Sequence, residues 1–390
     1  MKTKTLHLLT LGAALLLAPL TTTIAQSTWE TTDALTPYSG RAIVADSSGN
    51  FITLSLSTNS TSNTGLVSTA VSLSSDTGLT WQTVGTIPGF AGRLTAAPDG
   101  TLYACGTRSA TVSGKAFVWF SQNHGATWTV SDPWLGNTNT FPQTNVFLST
   151  DLAAGNSGAV YVCGVVATPR WIVRKGVLNA AGGITWTMAD NNINGDAQSI
   201  SVRPGAASQP DQIFVCGEAP SLRGWAVRRS SDGGATWSTV NANTLASAFS
   251  VAAGADGSIC AIGRYQKAVN NGYQYGWIVR QSSNNGTTWS TVDSVVNLSP
   301  AGATSLMVDV FGRVFALGST MTTPSTWLVR GSVYCGATWT TTDTFLPAGY
   351  TWAAALGAAS DALGNVCVIG DVENGTPSAN LAPVRRLPAP

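Results

Sequence analysis

The chain has 390 residues, of which 44% are hydrophobic and only 10% charged, with a formal net charge of +1. So small a net charge gives no electrostatic argument for nucleic acid or an anionic membrane surface, and no nucleic-acid partner is expected. The 41 Gly and 14 Trp, set among dense Ser and Thr, point to strands and turns rather than helices.

The first element is a leader. Lys2 and Lys4 precede an apolar run at 8–20, "LLTLGAALLLAPL", and Thr23-Ile24-Ala25 places small residues ahead of a cut before Gln26. The run is too short to span a bilayer as a helix, and no later segment is long and apolar enough either. Residues 1–25 are therefore expected to be a signal peptide. The mature chain, 26–390, is expected outside the cytoplasm, secreted or periplasmic, without a membrane span.

The next strand begins at Thr28-Trp29 and resembles the stretch at Thr338-Trp339, and after it the chain repeats itself. A strand pair turns around Gly, as in "AIVADSSGNFITL" and "LMVDVFGRVFALG". A third strand follows, ending in Val-Arg at Arg174, Arg228, Arg280, Arg330 and Arg385. Then comes a box: "SSDTGLTW" to Trp81, "SQNHGATW" to Trp128, "NAAGGITW" to Trp186, "SSDGGATW" to Trp237, "SSNNGTTW" to Trp289 and "SVYCGATW" to Trp339. The box Trp residues fall 47, 58, 51, 52 and 50 residues apart, and Trp29 lies 52 before Trp81. A period of that size with four strands per repeat is the signature of a β-propeller.

The fold class expected is thus all-β: a seven-bladed propeller of four-stranded antiparallel blades in a single domain. The chain starts with a fourth strand and stops after a third, "APVRRL". Pairing the two completes the last blade and closes the ring, which removes exposed strand edges. In the box, Asp76, Asp232, Asn123 and Asn284 are expected to accept backbone N–H bonds. Trp81, Trp128, Trp186, Trp237, Trp289 and Trp339 are expected to pack between blades. The Val-Arg residues recur with the blades and are expected to brace neighbours.

Cys105, Cys163, Cys216, Cys260 and Cys367 occupy repeated strand positions, which places them too far apart for disulfides and makes them small core residues. Cys335 falls in a turn and is the candidate free thiol. His7 and His124 are the two His of the chain, one in the leader and one in a box. His-based catalysis and a His-rich metal site are disfavoured; no metal or cofactor is expected.

The pattern Ser-x-Asp-x-Gly-x-Thr-Trp resembles the Asp-box, or bacterial neuraminidase repeat, over the whole mature chain. The resemblance implies a propeller with each box between the third and fourth strands of a blade. The family includes sialidases, other glycosidases and non-catalytic proteins. Among its sialidases an Arg of the carboxylate-binding triad lies on the first strand of the first blade. In Tyr38-Ser39-Gly40-Arg41-Ala42-Ile43 the matching residue is Arg41, although the Ile-Pro that should follow is absent. Glu30, Glu218 and Glu373 are the Glu residues after the leader, and Tyr350 is the candidate phenol nucleophile.

Propellers bind at the mouth of the central channel. Arg41 and Arg93 each follow a Gly and each lie twelve residues after a blade Trp, so they are expected at one place in adjacent blades. Counting on, that place holds Asn145, Gln198, Ala248, Thr304 and Thr351. Arg41, Arg93, Gln198 and Tyr350 are the candidate ligand-binding residues. The expected function is binding or scaffolding of a glycan or an extracellular protein by a monomer; the alternative is a sialidase-like hydrolase of acidic sugars. Three inserts, at 133–143, 264–276 and 321–325, offer further contact loops.

Overall fold

Short apolar runs separated by Gly-containing turns fold as the period requires. The computed structural model describes residues 28–35, 38–57, 68–107, 116–133, 147–166, 170–191, 193–205, 209–219, 224–243, 246–270, 272–296, 302–320, 322–333, 336, 338–376 and 379–390. Among them there is no α-helix, and the strands form seven four-stranded antiparallel sheets. In the first six, four consecutive strands meander outward; blade 1, for example, is Tyr38–Ala45, Phe51–Ser57, Ser68–Ser74 and Gln82–Pro88. The inner strands of blades 2 to 6 are Phe90–Ala96, Phe147–Ala154, Asp196–Arg203, Ala246–Ala253 and Gly302–Val308. Blade 7 takes Trp352–Ser360, Val366–Glu373 and Ala382–Leu387 from the C-terminal end, and Glu30–Leu35 from the other end as its outer strand. The ring is closed by that pairing, as expected. No helix of the described residues is long and apolar enough to cross a membrane. Residues 1–25, the expected leader, and Cys335 lie outside the described residues, as does most of the first insert.

The boxes fold as built-in turns. In the copy ending at Trp237, Ser230 Oγ accepts from Gly234 N at 2.9 Å, Asp232 Oδ1 accepts from Thr236 N at 2.9 Å, and Asp232 Oδ2 accepts from Thr236 Oγ1 at 2.5 Å. These bonds favour the ionised form, so the Asp232 carboxyl is held down at about 2, the Thr236 hydroxyl contributing most. The residue after the Asp or Asn is left-handed: Thr77 at φ 60°, His124 at 53°, Gly233 at 68° and Asn285 at 56°. In each case it meets the preceding blade. Thr77 O accepts from Arg386 Nε at 2.7 Å, Gly233 O from Lys175 Nζ at 3.0 Å, and Asn285 O from Arg229 Nη1 at 2.8 Å. His124 Nδ1 lies 3.0 Å from Asp46 Oδ2. The box is therefore a fastener between blades as well as a turn, and it explains the placement of His124.

The box Trp residues are less buried than expected. Those at 81, 128, 186, 237 and 289 are half-buried, and Trp339 alone of the six is buried. The Nε1 of Trp237 donates to the Gly234 carbonyl of its own turn at 3.1 Å, and Trp81, Trp128 and Trp289 bond in the same way. The deeply buried indoles are a second set, on the third strands: Trp119, Trp171, Trp225, Trp277 and Trp327, all exposed by 1% or less. Each of the last three packs on a second-strand Gly of the next blade. A Cβ on Gly263, Gly318 or Gly370 would come within 2.8 Å of the indole of Trp225, Trp277 or Trp327. These glycines are thus kept bare by an indole from the preceding blade and by the carbonyl of their own inner strand.

Three of the five Val-Arg residues brace the preceding blade, and the partner is a carboxylate. Arg174 instead lies over the Trp186 ring at 5.1 Å, and Arg280 Nη2 donates to Trp289 O at 3.4 Å, both within their own blade. Arg228, Arg330 and Arg385 grip Asp190, Asp293 and Asp343 of the preceding blade's outer strand with both oxygens, at 2.6–3.1 Å. A bidentate fork fixes orientation as well as distance. Cys105, Cys163, Cys216, Cys260 and Cys367 are buried, and none of them is in a disulfide, as core residues should be.

Candidate functional site

Every inner strand carries a β-bulge at the same height. The ladder skips Arg41, Gly92, Thr150, Gln198, Phe249, Thr304 and Leu356 in blades 1 to 7. A bulge leaves one residue unpaired and re-aims its side chain. Here the six that have side chains line a mouth of about 380 Å³ together with Arg93 and Ala303. Below it the channel continues between small and aliphatic residues, and the Asp151 carboxylate.

This ring corrects the count made from the sequence. Arg93 is not the counterpart of Arg41; Gly92 is, and Arg93 follows it by one residue. Gln198 and Thr304 stand where expected. Phe249 replaces Ala248, Leu356 replaces Thr351, and Asn145 lies outside the described residues. Counting from the box Trp failed because the outer strands and their connections vary in length. Counting back from the inner hairpin succeeds: the bulge lies five residues ahead of Asp46, Ala97, Gly155, Gly254, Asp309 and Asp361, the first turn residue of six blades.

The bulge residues divide by chemistry. Thr150 and Thr304 are structural, each Oγ1 donating to the carbonyl of the next inner strand at 2.6 Å. Gln198, Phe249 and Leu356 supply an amide, an aromatic ring and an aliphatic surface. Arg41 is the cation. Its guanidinium carbon lies 5.4 Å from the centre of the Phe90 ring, and its Nε is buried with no partner among the described residues. Burial lowers its pKa, while Asp371 and Glu373 act in the opposite direction. Arg93 is about half exposed; its Nη1 donates to Gly92 O, and its Nε lies 3.9 Å from Asp151 Oδ1. Burial raises the Asp151 carboxyl, opposed by Arg93.

Asp371 is the acid that the sequence reading passed over. It lies two residues before Glu373 on the second strand of blade 7 and is 5% exposed. Oδ2 accepts from Ser39 Oγ of blade 1 at 2.5 Å, and Oδ1 is buried without a partner among the described residues. Burial first, then the neighbouring Glu373 charge, raises its carboxyl from the usual range to about 6. The folded chain then holds this proton more tightly than the unfolded chain, so the associated stability is present below about pH 4 and is lost as the pH climbs to about 6. Asp371→Asn keeps an acceptor for Ser39 and removes that loss. Its melting temperature should exceed wild type above pH 6, by the equivalent of roughly 2 kcal/mol, and match it near pH 4. Parallel thermal melts across that range check this, and an unchanged difference between the two proteins would refute it.

The other candidates stand apart. The Tyr350 hydroxyl donates to Ala379 O at 3.0 Å, and its ring packs against the core between blades 6 and 7. It is not among the residues lining the mouth. Glu30 pairs with Arg386 at 2.7 Å on the outer edge of blade 7. Glu218 is exposed and accepts from Ser247 Oγ at 3.0 Å, with Asp196 across the ladder. In the second insert, strands Ile259–Val269 and Gly272–Ser282 extend the hairpin of blade 5, and Tyr265 leans on its core. Among the described residues no group of three or more His, Cys, Asp or Glu converges on a point.

No protein-family model matches the chain, and no curated protein is detectably similar to it in sequence. Solved structures do resemble it. The polysaccharide lyase Uly1 aligns at 11% identity with a TM-score of 0.51, over 90% of each chain. The α-L-arabinanase of Penicillium chrysogenum complexed with arabinobiose aligns at 13% identity with a TM-score of 0.50, over 91% of this chain and 98% of the other. The microbial sialidase Hz136 aligns at 17% identity and a TM-score of 0.43, over 73% of this chain and 64% of its own. At such identities the likeness is one of fold.

Proposed function

We propose that the protein is an exported propeller that engages an acidic glycan at the mouth of its central channel. The observation that carries the reading is Arg41: a cation placed by a bulge on the mouth. Guanidinium is the side chain best shaped to hold a carboxylate. Gln198 offers hydrogen bonds to sugar hydroxyls, and Phe249 and Leu356 offer apolar faces to the ring. An arabinanase and a polysaccharide lyase share this fold, which makes polymeric sugars the first ligands to test. The leader at residues 1–25 supports export, and six boxes on one period support membership of the Asp-box family.

A second reading, glycoside hydrolysis, is favoured by the Asp371 carboxyl. A carboxylic acid kept protonated to about pH 6 beside a second carboxylate, Glu373, has the chemistry of a general acid. Tyr350 is given no role in that reading, because its hydroxyl donates to Ala379 O.

The test is an acidic-glycan array run beside hydrolysis of a fluorogenic sialoside and of arabinan. Wild type should bind acidic glycans, and Arg41→Ala should lose that signal by at least about tenfold, the worth of one charge-assisted contact. Release of product by wild type, lost in Asp371→Asn, would establish hydrolysis. A wild type that neither binds nor cleaves, or an Arg41→Ala that binds as wild type does, would make the mouth a structural feature.

A further inference from the structure

At the seam between blades 7 and 1, the half-buried Arg41 and the buried Asp371 each bury a hydrogen-bonding atom that has no partner among the described residues. Arg41 Nε is a donor without an acceptor, and Asp371 Oδ1 an acceptor without a donor, among the described residues. Leaving such atoms unpaired is costly, so the arrangement needs a reason. Ser39, two residues ahead of Arg41, donates to Asp371 Oδ2 at 2.5 Å, and the Asp371 charge acts on Arg41.

The same contact is built at the seam of blades 4 and 5. There Ser247, two residues ahead of the bulged Phe249, donates to Glu218 at 3.0 Å. That carboxylate is exposed, and its bulge residue carries no charge. The Ser-to-carboxylate bond is thus a piece of blade architecture that recurs. Of these two seams, only that of blades 7 and 1 sets a buried carboxylate against a cation aimed at the mouth.

Resting on the reading of Arg41 as the residue that holds an anion, we infer that Asp371 is a proton-operated counter-charge that regulates anion binding at the mouth. Ionised, it neutralises part of the Arg41 field and repels an arriving anion. Protonated, it leaves Arg41 to the anion alone. The charged groups acting on the pair are Glu373, two residues along the same strand, and Arg93 from blade 2. Glu373 favours the protonated form of Asp371; Arg93 adds to the positive field that an anion meets. The rise of the Asp371 carboxyl to about 6 puts the change in a mildly acidic range. By linkage, an anion that binds the protonated form better must draw a proton into the protein as it binds.

The experiment uses two probes, sulfate, whose charge is constant from pH 5 to 7.5, and trigalacturonate. Both should bind wild type roughly tenfold more tightly at pH 5 than at pH 7.5, the effect of one buried charge at short range in a partly screened site. Calorimetry at pH 6 in two buffers of different ionisation enthalpy should show net proton uptake. Asp371→Asn, checked for folding by its thermal melt, should bind at every pH with about the wild-type affinity at pH 5, and take up no proton. If wild type binds equally at both pH values, or Asp371→Asn keeps the step, the counter-charge is refuted and the mouth reading stands. If neither probe binds either protein at any pH, the mouth reading itself is overturned, and the counter-charge with it.

Discussion

Deletion of residues 26–34 should collapse the cooperative unfolding of the whole ring. The described part of that segment holds all but the last residue of the outer strand of blade 7, paired from Glu30 with Arg386 through Ala34 with Pro383. Its loss exposes the edge of Ala382–Leu387, which is buried along its full length. It also strips partners from two arginines. Arg385 Nη1 donates to Thr31 Oγ1 at 3.0 Å, and Arg386 Nη1 to Glu30 Oε1 at 2.7 Å. Trp29, whose ring meets Phe315 of blade 6 edge-on at 6.3 Å, goes too. A bare edge beside uncovered apolar surface is a template for association. The melting temperature should fall by at least about 10 °C, at roughly 2 °C per kcal/mol for a chain of this size, and the protein should aggregate on heating. Calorimetry and size-exclusion chromatography read both. A truncated protein that melts as wild type does would mean that the ring is held closed elsewhere.

Trp327→Ala should cost about 3–5 kcal/mol, the range for truncating a large aromatic in a core that cannot refill the space. The indole is fully buried at the joint between blades 6 and 7, edge-on to Phe345 at 6.0 Å, and it lies over Gly370. Nothing flexible borders it on that side, since Gly370 sits on its own inner-strand carbonyl, Ala354 O. Trp237→Ala, in the box of blade 4, should cost less than half as much. That ring is half-buried, and the turn beneath it is fixed by Ser230, Asp232 and Thr236 without it. Denaturant midpoints for the two variants decide the matter; equal losses would place the main inter-blade contact at the box after all.

The contrast between these two tryptophans shows what kind of signal a repeat gives. The box was legible because its turn chemistry is local: a Ser, an Asp and a Gly within a few residues satisfy one another wherever the blade stands. The third-strand tryptophans also recur, in "WIVR", "WAVR" and "WLVR", yet their role depends on a Gly about forty residues further on, in the next blade. Sequence spacing does not display that partner. Likewise, a bracing role was readable in the Val-Arg series, but that Arg228, Arg330 and Arg385 fill it, and on Asp190, Asp293 and Asp343, is a fact of packing.

The sequence by itself determined the architecture. A near-constant period, four strands per period, and a Thr-Trp strand at Trp29 on period with the six boxes point to seven blades. These are consequences of short-range turn chemistry repeated in register, so they survive without any knowledge of neighbours. The site was decided by tertiary structure. Arg41, Gln198, Phe249 and Leu356 come from four blades and meet because each inner strand bulges at one height, a detail of hydrogen-bond register that a one-residue miscount hides, as it did for Arg93. Asp371 was invisible for a related reason. In the chain it is one carboxylate in a polar strand end; only the fold buries it beside Ser39 and Arg41, more than three hundred residues away, and burial is what lifts its carboxyl to about 6.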